Sequence, residues 1–318
     1  MNIDPLLALA SFGIGIIVGL TGMGGGALMT PVLVLFFNIP PLAAVSSDLV
    51  ASAIMKPVGS VVHLRRGTVH LGLVKWLCIG SIPGAFGGVV IAKSLGRGQE
   101  VQDIIRIALG VALLLAAAGL IVRAYLRLLE RARQRDGRGN PLPPGPPTVH
   151  LRPVATIILG VLGGTVVGLT SVGSGSLIII ALMALYPSLK ASELVGTDLV
   201  QAVPLVASAA LGHILFGDFR LDLTTSLLVG CLPGVWVGAH LSARSPGGLV
   251  RRALAFVLLA SALKLLGVPN TATAIVLGLV LVFAPLLWML VRRSYGFSAL
   301  ASRGARPRPA AQSTPESH

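Results

Sequence analysis

The sequence predicts an all-α polytopic membrane protein, built from two homologous and inverted repeats with glycine-rich broken or re-entrant helices. Three observations carry this: a shortage of charge, a series of long apolar stretches, and an internal repeat. Of 318 residues, 54% are hydrophobic and 11% charged, against about 25% charged in an ordinary soluble protein. A soluble globule of this composition would lack polar groups for its surface. Disorder is excluded as well, because too much apolar side chain would remain in water. The 39 glycines and the 5% aromatic share suit helices packed closely in lipid.

Apolar stretches predict helices near 6–22, 25–37, 45–63, 71–92, 103–125, 154–171, 174–187, 195–215, 222–241, 250–266 and 270–291. Most approach the ~20 residues that cross a bilayer, which gives roughly 8–11 membrane helices. The stretches 25–37 and 174–187 reach only about 20 Å at the helical rise per residue. Each follows a glycine-rich break, so each reads as a half-helix or one limb of a re-entrant hairpin. Open backbone of this kind needs protein or a wet cavity around it. The N-terminal Met-Asn-Ile-Asp-Pro lacks a basic leader region and reads as the start of a span.

The chain divides into a first transmembrane repeat (1–122), a basic Pro-rich linker (123–152), a second repeat (153–267), a final helix (268–291) and a basic tail (292–318) expected to be disordered. The repeat is explicit. Gly-Leu-Thr-Gly-Met-Gly-Gly-Gly-Ala-Leu at 19–28 matches Gly-Leu-Thr-Ser-Val-Gly-Ser-Gly-Ser-Leu at 168–177 with an offset of 149. After one inserted residue the offset is 150. Asp48-Leu49-Val50 then matches Asp198-Leu199-Val200, His63 matches His213, and Gly67 matches Gly217. Gly80, Pro83, Gly84 and Gly88 match Gly230, Pro233, Gly234 and Gly238.

The formal net charge is +14. Segment 123–152 holds seven arginines against Glu130 and Asp136, and segment 292–318 holds five against Glu316, so these two segments supply nine of the fourteen charges. Basic clusters between apolar spans orient a membrane protein with linker and tail in the cytoplasm. Neither cluster has the interleaved aromatics of a nucleic-acid platform, so nucleic acid is not an expected partner. With linker and tail on one side, an even number of spans lies between them. If each glycine-rich break turns a hairpin, each repeat crosses an odd number of times and the repeats are inverted, a transporter architecture. If each break is crossed straight through, the repeats are parallel.

The glycine-rich breaks are also the leading candidates for chemistry. Gly22-Met23-Gly24-Gly25-Gly26-Ala27 formally fits a dinucleotide fingerprint, but no strand precedes it and the second copy breaks the pattern. No cofactor is expected. The same backbone physics works without that fold: a break exposes amide N–H groups, and the helix N-terminus after it adds positive dipole. Thr21, Thr170, Ser171, Ser174 and Ser176 add hydroxyls. Such a pair of breaks suits a small oxyanion, and close helix packing is the plainer role for the same glycines.

Asp48 and Asp198 read as first-turn acids or caps of their helices, or else as carriers of a coupling proton or cation. Lys56 lies within an apolar stretch and precedes Pro57, while the corresponding residue in the other half is Val206. It is a candidate anion ligand or ion-pair partner; snorkelling to the interface is the alternative. Gln201 follows Asp198 on the same helical face and adds a neutral hydrogen-bonding group. His63 and His213 lie near helix ends, as interfacial caps or as ion-coupling or gating groups. Two histidines alone make no metal site. Cys78 and Cys231 read as small buried hydrophobes, and Trp76, Trp236 and Trp288 as interface or core aromatics. With no HExxH motif, Walker motif or Ser-His-Asp cluster, a transporter is the first reading, a passive anion channel the second and an intramembrane enzyme the third.

The repeated glycine block, the Ser-Asp-Leu-Val and Thr-Asp-Leu-Val segments, Gly67 with Gly217 and the two-half layout resemble the TauE/SafE family of membrane transporters, also called TSUP. The resemblance spans about Leu7 to Leu290. It implies a multi-pass protein of the bacterial inner membrane that moves sulfur-containing anions such as sulfite or organosulfonates. It also implies a substrate lining of Gly22, Gly24, Gly25 and Gly26 in the first copy and Ser171, Gly173, Ser174 and Gly175 in the second. The second copy departs from a pure glycine run at Ser174 and Ser176, which bears on selectivity.

Overall fold

The structure is a computed structural model and describes residues 4–21, 25–96, 98–135, 150–187, 189, 191–242 and 247–295. These form eleven helices: α1 (Pro5–Thr21), α2 (Gly26–Phe36), α3 (Pro41–Arg65), α4 (Leu71–Ser94), α5 (Gln99–Arg135), α6 (Pro153–Thr170), α7 (Leu177–Leu185), α8 (Ala191–Phe216), α9 (Leu221–Ser242), α10 (Gly247–Leu265) and α11 (Asn270–Ser294). Seven of them, α3, α4, α5, α6, α8, α9 and α11, contain a stretch long and apolar enough to cross a membrane. α1, α2 and α7 are shorter apolar pieces flanking the two breaks.

Helix starts follow local chemistry. Asp4 accepts the Leu6 and Leu7 N–H groups at 2.9 and 3.2 Å and opens α1. Prolines occupy the first turn of α3 and α6, where their missing N–H costs nothing. The His70 ring accepts the Leu73 N–H and caps α4. These starts correct part of the sequence reading. Because Pro41 and not residue 45 opens α3, Asp48 lies two turns inside the helix and is no cap. Asp198 lies equally far inside α8, which opens at Ala191. α5 runs well past 125, so the basic run 123–135 continues the helix. The tail from Ser302 and the Pro-rich stretch 141–147 lie outside the described residues.

Glycines set how the helices pair. α1 lies beside α9 in the same direction: a Cβ on Gly230, Gly234 or Gly238 would come closer than 3.0 Å to the carbonyls of Ala8, Phe12 and Ile16 in turn. α4 lies beside α6 likewise, with Gly80, Gly84 and Gly88 against the carbonyls of Ile157, Val161 and Thr165. Backbones this close gain dispersion contacts that lipid does not outcompete. α3 and α8 run antiparallel. Ser46 at the start of α3 meets His213 at the end of α8, at 2.8 Å, and Ser60 late in α3 donates to the Leu199 carbonyl early in α8, at 2.9 Å.

The outer faces are apolar too. On α5, Ile105, Leu109, Leu113 and Ala116 are buried at helical spacing, while Ile104, Ile107, Val111 and Leu115 are exposed. In a bilayer such a face meets lipid, so the polar residues collect in the interior. α11 rests on α10 and is exposed along most of its length.

Candidate functional site

The interior of the α3–α8 pair is polar in a pattern that helix geometry creates. Asp48, Ser52, Lys56 and Ser60 are spaced four apart, so they form one stripe along α3. All four are buried. Asp198 and Gln201 are buried on α8. Snorkelling does not describe Lys56: it is 7% exposed and its Nζ donates to the Ser174 hydroxyl.

The two breaks meet at this stripe. A Cβ on Gly26 would collide with the Ser171 carbonyl, so the breaks touch through backbone. Gly25 faces the Asp48 carboxylate and the Ser52 hydroxyl. In the second break Ser171 is left-handed at φ 58°, Gly173 has φ 140° and Gly175 φ 90°. The last two conformations are costly for a side-chain-bearing residue. They delay α7 until Leu177 and turn the Gly175 N–H toward the Asp198 carboxylate. Gly22 and Gly24 lie outside the described residues.

Both acids are held by groups at or next to the breaks. Asp48 Oδ2 accepts from Thr30 Oγ1 at 2.9 Å and from Ser171 Oγ, in the other half of the chain, at 2.7 Å. Asp198 Oδ2 accepts the Gly175 N–H at 2.6 Å. Lys56 lies within electrostatic reach of both carboxylates, and buried Arg123 of α5 within reach of Asp198. Gln201 Nε2 donates to Ser81 Oγ at 2.6 Å. Several buried polar atoms around this centre have no partner among the described residues: Ser176 Oγ, Asp198 Oδ1 and Gln201 Oε1. Unpaired buried polar atoms are expensive and mark a place for water, ion or ligand.

Other expected site residues sit differently. Thr21 and Thr170 donate to carbonyls of their own helices, Ile17 and Val166, at 2.8 and 2.6 Å, and so do not point their hydroxyl protons into the site. His213 is no interfacial cap: it is fully buried, with Nδ1 2.8 Å from Ser46 Oγ and Nε2 2.8 Å from the Gly168 carbonyl. His63 is half-buried at the end of α3 and pairs with Thr68 at 2.9 Å. Sequence reasoning missed Thr30, Ser52, Ser81 and Arg123. The four-residue spacing on α3 was the available signal for Ser52; the other three come from helices whose partners no spacing announces. Among the described residues no three His, Cys, Asp or Glu side chains group as metal ligands.

The arrangement gathers donors and acceptors of both charges in one interior centre. It sets the Gly175 N–H, serine hydroxyls and the Lys56 amine beside the Asp48 and Asp198 carboxylates in a buried interior, where charge-assisted hydrogen bonds are strong. Comparison with known proteins agrees with a membrane carrier. The model of the family described as "Sulfite exporter TauE/SafE" matches residues 7–265. The chain is 40% identical over 254 residues to the probable membrane transporter protein YjnA of Bacillus subtilis, covering 80% of this chain and 96% of the relative. It is 26% identical over 251 residues to the probable membrane transporter protein YdhB of the same organism, covering 78% and 94%. No solved structure matches. With the match running from α1 to the end of α10 and leaving α11 outside it, the chain belongs to the TauE/SafE family of membrane transporters.

Proposed function

We propose that the protein is a secondary transporter that moves a small sulfur-containing oxyanion, sulfite or an organosulfonate, across the inner membrane. The observation that carries this reading is the contact of two glycine-rich breaks beside Lys56, with Ser174 and the Gly175 N–H on the same seat. A fixed N–H, a hydroxyl and an ammonium complement the tetrahedral or pyramidal oxygens of such an anion. The lining we assign is Gly22, Gly24, Gly25 and Gly26 from the first break and Ser171, Gly173, Ser174 and Gly175 from the second, with Lys56 as the cation and Gln201 at the edge. Asp48 and Asp198 take the coupling role, and His63 and His213 the gating positions.

The two halves act as inverted repeats. Supporting this, α3 and α8 carry the repeated Asp-Leu-Val and run antiparallel. α1 follows the direction of α9 and α6 that of α4, which turns each break back toward the side its helix entered. Such a pair of hairpins, one from each side, brings the breaks together at mid-depth, and rocking one half against the other exposes them alternately. The linker and tail then share the cytoplasmic side. The test is flux of labelled sulfite, sulfate and alkanesulfonates into proteoliposomes containing the purified protein. Uptake of at least one sulfur oxyanion above protein-free vesicles is expected. No movement of any anion across the panel refutes the reading, and currents far above carrier turnover would make it a channel instead.

A further inference from the structure

The seat at the second break is already filled, by the protein's own anion. Asp198 is 1% exposed and places Oδ2 on the Gly175 N–H, the backbone donor that the left-handed glycine turns inward. Its other oxygen, Oδ1, has no hydrogen-bond partner among the described residues, and neither does the buried Ser176 hydroxyl next to Gly175. Lys56 lies within electrostatic reach and is hydrogen-bonded to Ser174 on the same loop. A carboxylate that engages a backbone N–H with one oxygen, beside an ammonium, makes the contacts a substrate oxyanion would make.

We propose that Asp198 is a built-in competitor of the transported anion, which takes the Gly175 seat only when Asp198 has taken up a proton, so that anion and proton bind together. This rests on the anion-transport reading above and adds the coupling to it. The proton enters on Oδ1, the oxygen left without a partner. The neutral carboxyl then releases the Gly175 N–H, and the anion accepts it. When the anion leaves, the proton leaves and the carboxylate returns. Without the proton, two anions would share one N–H at the seat, which the dry interior disfavours even with Lys56 and Arg123 in reach.

The surrounding charges leave this assignment to Asp198. α3 brings Asp48, Lys56, His63 and Arg65 to the vicinity of α8; α4 brings Lys75, Cys78 and Lys93; α5 brings Arg123; α6 and α7 bring no titratable group; α8 itself carries Glu193 and His213. Lys56 and Arg123 are those that act on Asp198. Arg123 is a fixed cation, whereas Lys56 is the other titratable group at the seat, bonded to Ser174, and the Asp198→Asn measurement separates its proton from that of Asp198. Asp48 differs in kind: hydroxyls of Thr30 and Ser171 hold it, and its Oδ2 takes no backbone N–H of the second break.

Binding of methanesulfonate, which stays ionised throughout the range used, tests the linkage on the full-length detergent-purified protein. Calorimetric titration in two buffers of different ionisation enthalpy reads protons taken up per anion. The wild type is expected to take up about one proton per anion near neutral pH and to lose about tenfold in affinity per pH unit once Asp198 is ionised. Asp198→Asn, which resembles the neutral acid, is expected to bind with no proton uptake and with affinity flat between about pH 5 and pH 8. Wild-type binding with no proton uptake overturns the coupling and leaves anion transport standing. An Asp198→Asn protein that still takes up a proton also overturns it. Absence of binding or flux for every sulfur oxyanion in the wild type overturns the transport reading, and the coupling with it. The wild-type measurement decides the matter even if the variant fails to fold.

Discussion

Met55 and Ala51 of α3 stand where α8 carries Leu205 and Gln201, and Cys231 of α9 stands where α4 carries Ser81. The second pair of helices is joined there by the Gln201–Ser81 hydrogen bond, at 2.6 Å. The first has Cys231 Sγ against Met55 Sδ at 3.1 Å. Further along, Ser52, Lys56 and Ser60 of α3 correspond to Ala202, Val206 and Ala210 of α8. The packing glycines behave in the opposite way: Gly80, Gly84 and Gly88 and their counterparts Gly230, Gly234 and Gly238 make the same close backbone contacts. Backbone approach has no tolerance for a side chain, so both halves keep it. A group at the centre between the halves lies within reach of both acids, so a single buried lysine serves both. The acids are kept twice and the lysine once.

The sharpest way to break this comparison is at the packing. Gly84→Leu and its counterpart Gly234→Leu should each cost about 3 kcal/mol or more through overpacking against a carbonyl. Gly87→Ala, where an added Cβ meets nothing within 4 Å, should be neutral or stabilising by about 0.5 kcal/mol. Thermal melting followed by size-exclusion in detergent reads all three, and equal melting of Gly84→Leu and Gly87→Ala would refute the close contact. Next comes the centre. Lys56→Met should lower sulfonate uptake by about ten- to a hundredfold, the loss of one charge-assisted hydrogen bond. Moving the charge, with Lys56→Val and Val206→Lys together, should restore part of it if the centre is shared. No recovery at all, in a protein that folds, would place the site wholly in one half.

The histidines sharpen the comparison more gently. His213→Ala removes a group bridging Ser46 and the Gly168 carbonyl and should cost about 2 kcal/mol. His63→Ala, half-buried and bonded within its own turn, should cost below about 0.5 kcal/mol. Equal melting temperatures would contradict this asymmetry. Between these two lies Cys231→Ser, which places a hydroxyl against Met55 and should cost about 1 kcal/mol. An unchanged melting curve would mean that a water or the Leu228 carbonyl satisfies it.

All eleven helices were legible as apolar runs, and both short pieces were legible from the breaks before them. The starts of α3 and α8 were not: Ser46-Ser47-Asp48 looks like a helix cap, while Pro40-Pro41, a stronger stop for the preceding chain, sits a turn or two earlier. The repeat marked the glycines of α4 and α9 as important without naming their partners, because the partners are the carbonyls of α6 and α1, and every residue has a carbonyl. Asp48, Asp198 and Lys56 stood out because charge in an apolar stretch is costly wherever it lies. That Ser171 in one half binds Asp48 in the other had no signature at all.

Composition and periodicity therefore determined the membrane class, the helices, the repeat and the short list of acids, lysine and breaks. These follow from local terms: transfer of side chains to lipid, backbone hydrogen bonding within a helix, and the freedom of glycine. Tertiary structure alone decided that α3 and α8 lie antiparallel, that the breaks touch, and that Asp198 takes the Gly175 N–H. Each depends on which groups come into contact across 23 to 167 residues of chain, and no spacing along the sequence encodes that contact.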